Sequence, residues 1–505
     1  MKRCARNHWE TSGVTDGDEH ARVVAFLSDP AAHGGAAVEV AQTHGALVFL
    51  AGDRAYKLKR DISYDYLDFS TPERRRAMLQ RELDLNRAAA PEIYDGLVAV
   101  TRTATGGFEL GGVGQPVEWV LRMRRFPAEA ELAEIARRDG IDPALADAIG
   151  AVVARYHADA APAATDDGAG RIGRVIADIL SSLADMEDAL DPAAVARLRG
   201  AAEAALGRVA PLLDARARAG FVRRCHGDLH LGNLVVIEGR PVPFDALEFD
   251  ERLATTDVLY DLAFLLMDLM HAGLRPAANR VLGRYLAHAD TPDHHDGLAA
   301  LPLFLALRAA IRAMVAVQRA RLAKDPAEGR AEARGYLADA AAYLDPPGPA
   351  LVAVGGLSGS GKTTLAAGLA PGIGAAPGAV HLRSDIERKI MFGVDPLEPL
   401  PAEGYRSEVG AQVYERLRER AAAEALAARA GVPFAGLWLE ADPQALVARV
   451  SARRGDASDA DAAVVRRQLE AAPAAVDWHT VDASGSAPET QARAREVLAP
   501  LLTRS

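Results

Sequence analysis

The sequence predicts two folds in series: an α+β unit with a small β-rich lobe and a larger helical lobe, then an α/β unit on a parallel sheet. Three observations carry this. Strand-like runs crowd residues 36–125 and give way to Ala/Leu-rich helical patterns from about 128 to 345. The stretch DPPGP, Asp345–Pro349, ends regular structure, because Pro346, Pro347 and Pro349 lack the N–H that a helix needs. Beyond it short apolar runs alternate with helical ones, as a parallel sheet requires. The expected segments are a polar, partly disordered N-terminus at 1–35, the β-rich lobe at 36–126, the helical lobe at 127–346 and the α/β domain at 347–505.

Composition narrows the function classes. The chain has 505 residues, 50% hydrophobic and 25% charged, the balance of a soluble globular protein. A formal net charge of -11 disfavours broad nucleic-acid affinity, so phosphate binding must come from local sites. Cys4 and Cys225 are far apart in sequence, which fits a reducing cytoplasm better than a disulfide framework. The N-terminal stretch lacks the apolar core of a signal peptide. The most apolar segment, Asp257–Met270, is too short to span a bilayer and is interrupted by Asp257, Asp261 and Asp268. It reads as a buried helix with a polar edge. No membrane and no nucleic-acid partner are expected.

Within the β-rich lobe the strand-like runs are AAVEVAQ, ALVFLAG, RAYKLKR, GLVAVTR and VEWVLRMRR. Gly52–Asp53 predicts a hairpin between two of them. One helix, STPERRRAMLQRELDLNRAA, interrupts the strands; Ser70 can cap it, Pro72 suits its first turn and Glu73 completes a capping box. On RAYKLKR, alternation puts Lys57 and Lys59 on one face, opposite Tyr56 and Leu58.

The helical lobe contains one strand-rich island, CHGDLHLGNLVVIEGRPVPFDALEF. His226 and His230 could share an ion only on a helix, which Gly227 and Gly232 oppose, and no third histidine or cysteine follows closely. A plain core turn would leave the island's partners elsewhere in the chain unexplained. Phosphoryl transfer explains more. It needs a carboxylate for the hydroxyl proton, an amide oxygen five residues on for Mg²⁺, and a second metal ligand after a short hairpin. Asp228, Asn233 and Asp245 match, with the hairpin turn at Glu238–Gly239.

HGDLHLGN, PFDALEF and DVLYDLAFL together resemble the aminoglycoside phosphotransferase-like kinases, small-molecule relatives of the protein-kinase fold. The resemblance implies a bilobal protein-kinase-like domain with Asp228 as catalytic base and Asn233 and Asp245 as metal ligands. His226 and Asp261 would brace the loop. It also implies a phosphate-binding lysine, with Ala55-x-Lys57 favouring Lys57 over Lys59, held by Glu82; the other lysine would be an exposed edge residue. Backbone groups near Met123 would reach the base, and THGALVFL, with its single Gly45, would cover the phosphates. Glu248 either faces substrate or supports the metal shell, and the supporting role is preferred.

In the second domain GLSGSGKT, Gly356–Thr363, follows an apolar strand and precedes a helix, the context a P-loop requires. Backbone at Gly356, Ser358, Gly359, Ser360, Gly361 and Thr364 would cradle phosphates, Lys362 would reach the β/γ-phosphates, and Thr363 would hold Mg²⁺. Strands are expected at Leu351–Val354, Ala379–Leu382, Phe434–Leu439 and Asp477–Asp482. By resemblance to P-loop small-molecule and polynucleotide kinases, Asp385 would be a base and Arg388 a phosphate clamp; a helix cap is the alternative for Asp385. Arg449, Arg453 and Arg454 look like a lid, or else a solvated basic turn. Between Tyr414 and Phe434 the Asp-bearing strand of such kinases is expected to be missing. This domain is therefore expected to bind nucleotide and turn it over poorly.

From residue 36 to 505 the chain resembles a bacterial two-part family, an aminoglycoside phosphotransferase-like domain fused to a P-loop, AAA-family ATPase-like kinase domain. The implied activity is transfer of phosphate from ATP or GTP, with Mg²⁺, to a hydroxyl of a small molecule. The alternative is a nucleotide-sensing regulator with little turnover. No D-F-G follows Asp245, and no A-P-E follows it within the helical lobe, which speaks against a protein kinase.

Overall fold

The computed structural model describes residues 19–502 apart from 44, 65–66, 290–291, 323–324, 395–397, 407, 414, 416–431, 453–457, 459 and 471–477. The chain divides into two compact units. The first is Met1–Ile141, Ala160–Ala163 and Arg223–Thr256; the second is Asp142–Asp159, Ala164–Val222 and Asp257–Ser505.

The first unit is built on a six-stranded antiparallel sheet. Its strands are β1 (Val38–Gln42), β2 (Ala46–Ala51), β3 (Arg54–Lys59), β6 (Tyr94–Arg102), β7 (Phe108–Leu110) and β8 (Pro116–Arg124), in the order β1-β2-β3-β8-β6-β7. A separate short pair, β4 (Ser63–Tyr64) and β5 (Leu67–Asp68), precedes helix α2 (Pro72–Asn86). As expected, β2 and β3 form a hairpin, with Ala51 opposite Arg54 and Gly52 at φ 58° in the turn. Strand alternation separates two cores. Leu47, Phe49, Leu58, Val100 and Val120 face one side; Val48, Ala55, Leu121 and Met123 face the other, against Leu79 and Leu83 of α2 and Val235, Val242 and Phe244.

Two expectations change here. Helix α1 (Glu19–Ser28) places Val23 and Leu27 in the first of these cores, so the ordered lobe begins before residue 36. The polar residues around those two masked an amphipathic turn. The cap of α2 is Thr71, whose hydroxyl accepts from Arg74 N–H; Ser70 instead bonds Asp68. Pro72 does open the helix. With the cap one residue later, Glu73 no longer sits three positions beyond it, and the expected capping box is not made.

In the second unit, helix Val258–His271 buries every residue from Val258 to Leu269, including Asp261 and Asp268. Its expected polar edge is thus inside, and it is paired. Asp257 caps the helix by accepting from Leu259 N–H and binds the Arg216 guanidinium at 2.7 and 2.9 Å; Asp261 lies 3.1 Å from His157 Nε2. Buried charges persist only with such partners.

The same unit carries a parallel sheet of three described strands, Leu351–Gly356, Phe434–Glu440 and His479–Asp482. The expected strand at Ala379–Leu382 does not form. Ala379 donates its N–H to Ala370 O and its carbonyl accepts from Asn279, so the segment's groups are satisfied outside the ladder. The missing strand expected between Tyr414 and Phe434 falls mostly on residues outside the described ones.

Candidate active site

The island of the sequence forms a loop and hairpin in the first unit. Gly227 sits at φ +82°, and a Cβ there would lie 3.0 Å from Leu247 Cβ and 3.2 Å from the Ala254 backbone, so only glycine fits. His226 is fully buried with Nε2 3.0 Å from Phe244 O. His230 Nδ1 accepts from Gly232 N–H and Nε2 faces Asp228 Oδ2 at 3.4 Å. Both rings hold the loop by contacts within the protein. Strands Leu234–Ile237 and Arg240–Pro243 follow, joined by Glu238 and Gly239, both at positive φ as a tight hairpin turn demands.

This fold gathers three of the expected residues. Asn233 is buried and its amide donates to Asp228 O at 2.8 Å and to Asp228 Oδ2 at 2.9 Å. With both N–H contacts on Asp228, the oxygen Oδ1 is the end of Asn233 left for a cation. Phe244 N–H donates to Asn233 O, which sets Asp245 beside it. Asp245 adopts φ 62°, rare for a residue with a side chain. Two groups fix it there: Tyr94 Oη accepts from Asp245 N–H at 3.0 Å, and Asn86 Oδ1 accepts from Ala246 N–H at 2.8 Å. Asn86 also donates to Glu82 O in its own helix. Neither Asn86 nor Tyr94 stood out in the sequence; their only signal was a polar residue one turn after Glu82 and a tyrosine opening a strand.

Strand β3 and helix α2 supply the opposite wall. Lys57 Nζ lies 2.6 Å from Glu82 Oε1 and 2.6 Å from Asp245 Oδ1. Lys59 Nζ lies 2.7 Å from Glu82 Oε2 and 2.5 Å from Glu248 Oε1. The expectation of one exposed edge lysine is therefore overturned: both are buried, because the face that carries them points at α2 and at the 245–248 segment. Burial by itself pulls the Lys57 ammonium down, but Asp245 and Glu82 outweigh it and hold its pKa well above the ordinary value. Lys59 is raised for the same reasons, by Glu248 and Glu82 against burial. Burial, helped by Glu82 and Asp245, pushes the Tyr94 phenol well up, so it stays neutral.

Met123 lies inside the sheet, paired with Ala55 on one side and Tyr94 on the other, and its side chain is in the inner core. Its backbone is thus engaged in the ladder. Arg124 and Arg125 donate to Ile93 O and Asp53 O, so chain past the ladder begins at Phe126.

In the second unit the P-loop is formed as its glycines dictate. Gly356, Gly359 and Gly361 all have positive φ, and a Cβ on Gly359 would meet Leu446 O at 2.6 Å. Helix Lys362–Leu369 follows, with Thr363 and Thr364 in its first turn and Ser360 buried before it. Lys362 Nζ donates to Gly356 O and Leu357 O, each at 2.9 Å, and Ser358 N–H donates to Gln468 Oε1 at 2.9 Å. Asp385 and Arg388 share helix Ser384–Met391, where Arg388 donates to Gly404 O. Arg449, expected in a lid or a solvated turn, donates its guanidinium to the carbonyls of Ala483, Ser484 and Gly485. Arg453 and Arg454 lie outside the described residues.

Comparison with known proteins finds two family matches along the chain. Residues 67–301 match the phosphotransferase enzyme family and residues 351–425 match an AAA domain. An uncharacterized protein of Mycobacterium tuberculosis (strain H37Rv) is 30% identical over 484 residues, covering 89% of this chain and 93% of its own. Among solved structures, a choline/ethanolamine kinase family protein from Mesorhizobium loti is 18% identical with TM-score 0.39, covering 64% of this chain and 94% of its own. Plasmodium vivax ethanolamine kinase is 10% identical with TM-score 0.38, covering 60% and 82%. The chain belongs to a two-domain family in which a phosphotransferase-family domain is followed by an AAA domain.

Proposed function

We propose that the protein transfers the terminal phosphoryl group of ATP to a hydroxyl of a small molecule, with Asp228 as base. The observation that carries this reading is that one compact unit holds Asn233 bonded to Asp228 and Lys57 bonded to Glu82 and Asp245, with the Phe244 N–H on Asn233 O tying the Asp245 segment to the loop. The Asp228 carboxylate is about one-third accessible, so a hydroxyl can reach it. His230 and Asn233 orient it, and it takes the proton as the hydroxyl attacks. Lys57 neutralises phosphate charge while Glu82 holds it.

The donor set fits Mg²⁺: Asn233 Oδ1 and the Asp245 carboxylate are hard oxygen ligands, while His226 and His230 are engaged with backbone groups. Bound there, the cation would screen the phosphate oxygens. In the P-loop domain, Lys362 and Thr363 would take phosphates and metal as the sequence implies. A nucleotide-sensing role for that domain is the second reading. It is favoured by Ser358 N–H and Lys362 already being bonded within the protein, contacts that nucleotide must break.

The test is ATP and GTP turnover with Mg²⁺ over aminoglycosides, sugars and amino-alcohols, comparing wild type with Asp228→Ala and Lys362→Ala. Acceptor-dependent turnover should fall about 10²–10⁴-fold in Asp228→Ala, the usual worth of a positioned base. Full activity in Asp228→Ala, with loss in Lys362→Ala, would move the chemistry to the P-loop.

A further inference from the structure

A buried ion pair beside the phosphotransfer site has no part in the mechanism above. Lys59 and Glu248 are 2% and 7% accessible, and Lys59 Nζ bridges Glu248 Oε1 and Glu82 Oε2. Together with Lys57 and Asp245 they form a closed set of two ammoniums and three carboxylates, formally -1. Glu82 is the hinge of this set, with one oxygen for each lysine.

We propose that Lys59 and Glu248 are positioning residues that let Lys57 move from Asp245 to the phosphates; this rests on the phosphotransfer reading of the site. The reasoning is electrostatic. For phosphates and a cation to bind, Lys57 has to loosen from Asp245, and Glu82 must stay in place meanwhile. Lys59 keeps the second Glu82 oxygen neutralised throughout. Without it the same space would hold one ammonium and three carboxylates, two of them buried, formally -2, and Lys57 would be drawn more tightly to them. Glu248 anchors Lys59 from the segment that carries Asp245, so the two lysines do not compete for one carboxylate oxygen. Glu248 thereby acts through Lys59 and touches no substrate.

The experiment is calorimetric titration of full-length Lys362→Ala protein with MgATP, in which the P-loop lysine is removed, alongside thermal melts. Lys59→Met should bind MgATP about 10- to 100-fold more weakly, the range seen when outer-shell partners of a site are lost. Glu248→Gln keeps an acceptor for Lys59 and leaves the set neutral, so its affinity should stay within about threefold of the parent. The double variant Lys59→Met/Glu248→Met restores a net -1 and should bind better than Lys59→Met alone. Affinity in Lys59→Met within about twofold of the parent would overturn the proposal. So would equal losses in both single variants that follow their melting temperatures, the mark of a merely structural pair. Absence of MgATP binding in the Lys362→Ala parent would instead remove the phosphotransfer reading, and the pair with it.

Discussion

Asp245 shows how much of this site depends on single hydrogen bonds. Its backbone is held in the left-handed region by Tyr94 Oη and, through Ala246, by Asn86 Oδ1. Replacing Tyr94 by Phe leaves the part-buried Asp245 N–H without its acceptor. The expected loss is about 1–3 kcal/mol of stability, read by denaturant unfolding, with a weaker apparent affinity for Mg²⁺ in turnover assays. Lys57 gives a pH prediction with a definite sign. Its folded pKa is raised, so its contribution to stability is complete below the unfolded lysine value near 10.4 and is lost as pH rises through the higher folded value. MgATP titrations from pH 7 to about 10 should therefore show no weakening from Lys57; a midpoint within that window that vanishes in Lys57→Met would contradict it.

At the scale of elements, the sheet is a two-sided object. One face presents Ala55, Lys57 and Lys59 to α2 and the 245–248 segment; the other is closed by α1. Val23 and Leu27 are fully buried on that second face. His20 of the same helix lies 3.2 Å from Glu118, itself bound by Arg75 of α2, so α1 is tied to the site-bearing helix through one buried carboxylate. Leu27→Ala should cost about 2–5 kcal/mol in chemical denaturation, the usual range for a buried leucine. An unchanged midpoint would mean that α1 is dispensable for the lobe.

Across the whole molecule, the two nucleotide motifs fall in different compact units, and each is organised by its own sheet. The second unit also sets an acid limit. Burial, with Arg216 nearby, lowers the His294 pKa to about 3, and burial with Arg383 and Arg280 lowers His381 to about 4. An unfolded histidine takes up its proton near 6.5, whereas these remain neutral in the fold until much lower pH. Stability should hold above pH 6.5 and fall as pH drops toward 4, by about 1.4 kcal/mol per pH unit for each uncompensated proton. Melting temperatures at pH 7, 6 and 5 would show the decline, and His294→Gln should flatten it.

Local chemistry made much of this protein legible in advance. Gly356–Thr363 reads as a phosphate loop because its glycines must adopt positive φ, and HGDLHLGN with PFDALEF carries acid, amide and acid at the spacing that one loop and one hairpin bring together. These are short-range constraints, and sequence alone determined them, along with the Gly52–Asp53 hairpin and the apolar helix after Asp257. Other features depended on which surfaces meet. The burial of Lys59 beside Lys57 follows from what covers that face of β3, not from the alternation that put both there. Asn86 and Tyr94 matter because their side chains end beside a strained Asp245 more than 150 residues away. Ala379–Leu382 has strand composition, but its backbone groups find partners in a loop and a helix. Such outcomes are settled by competition among distant groups for hydrogen bonds and burial, so only the tertiary structure decided them.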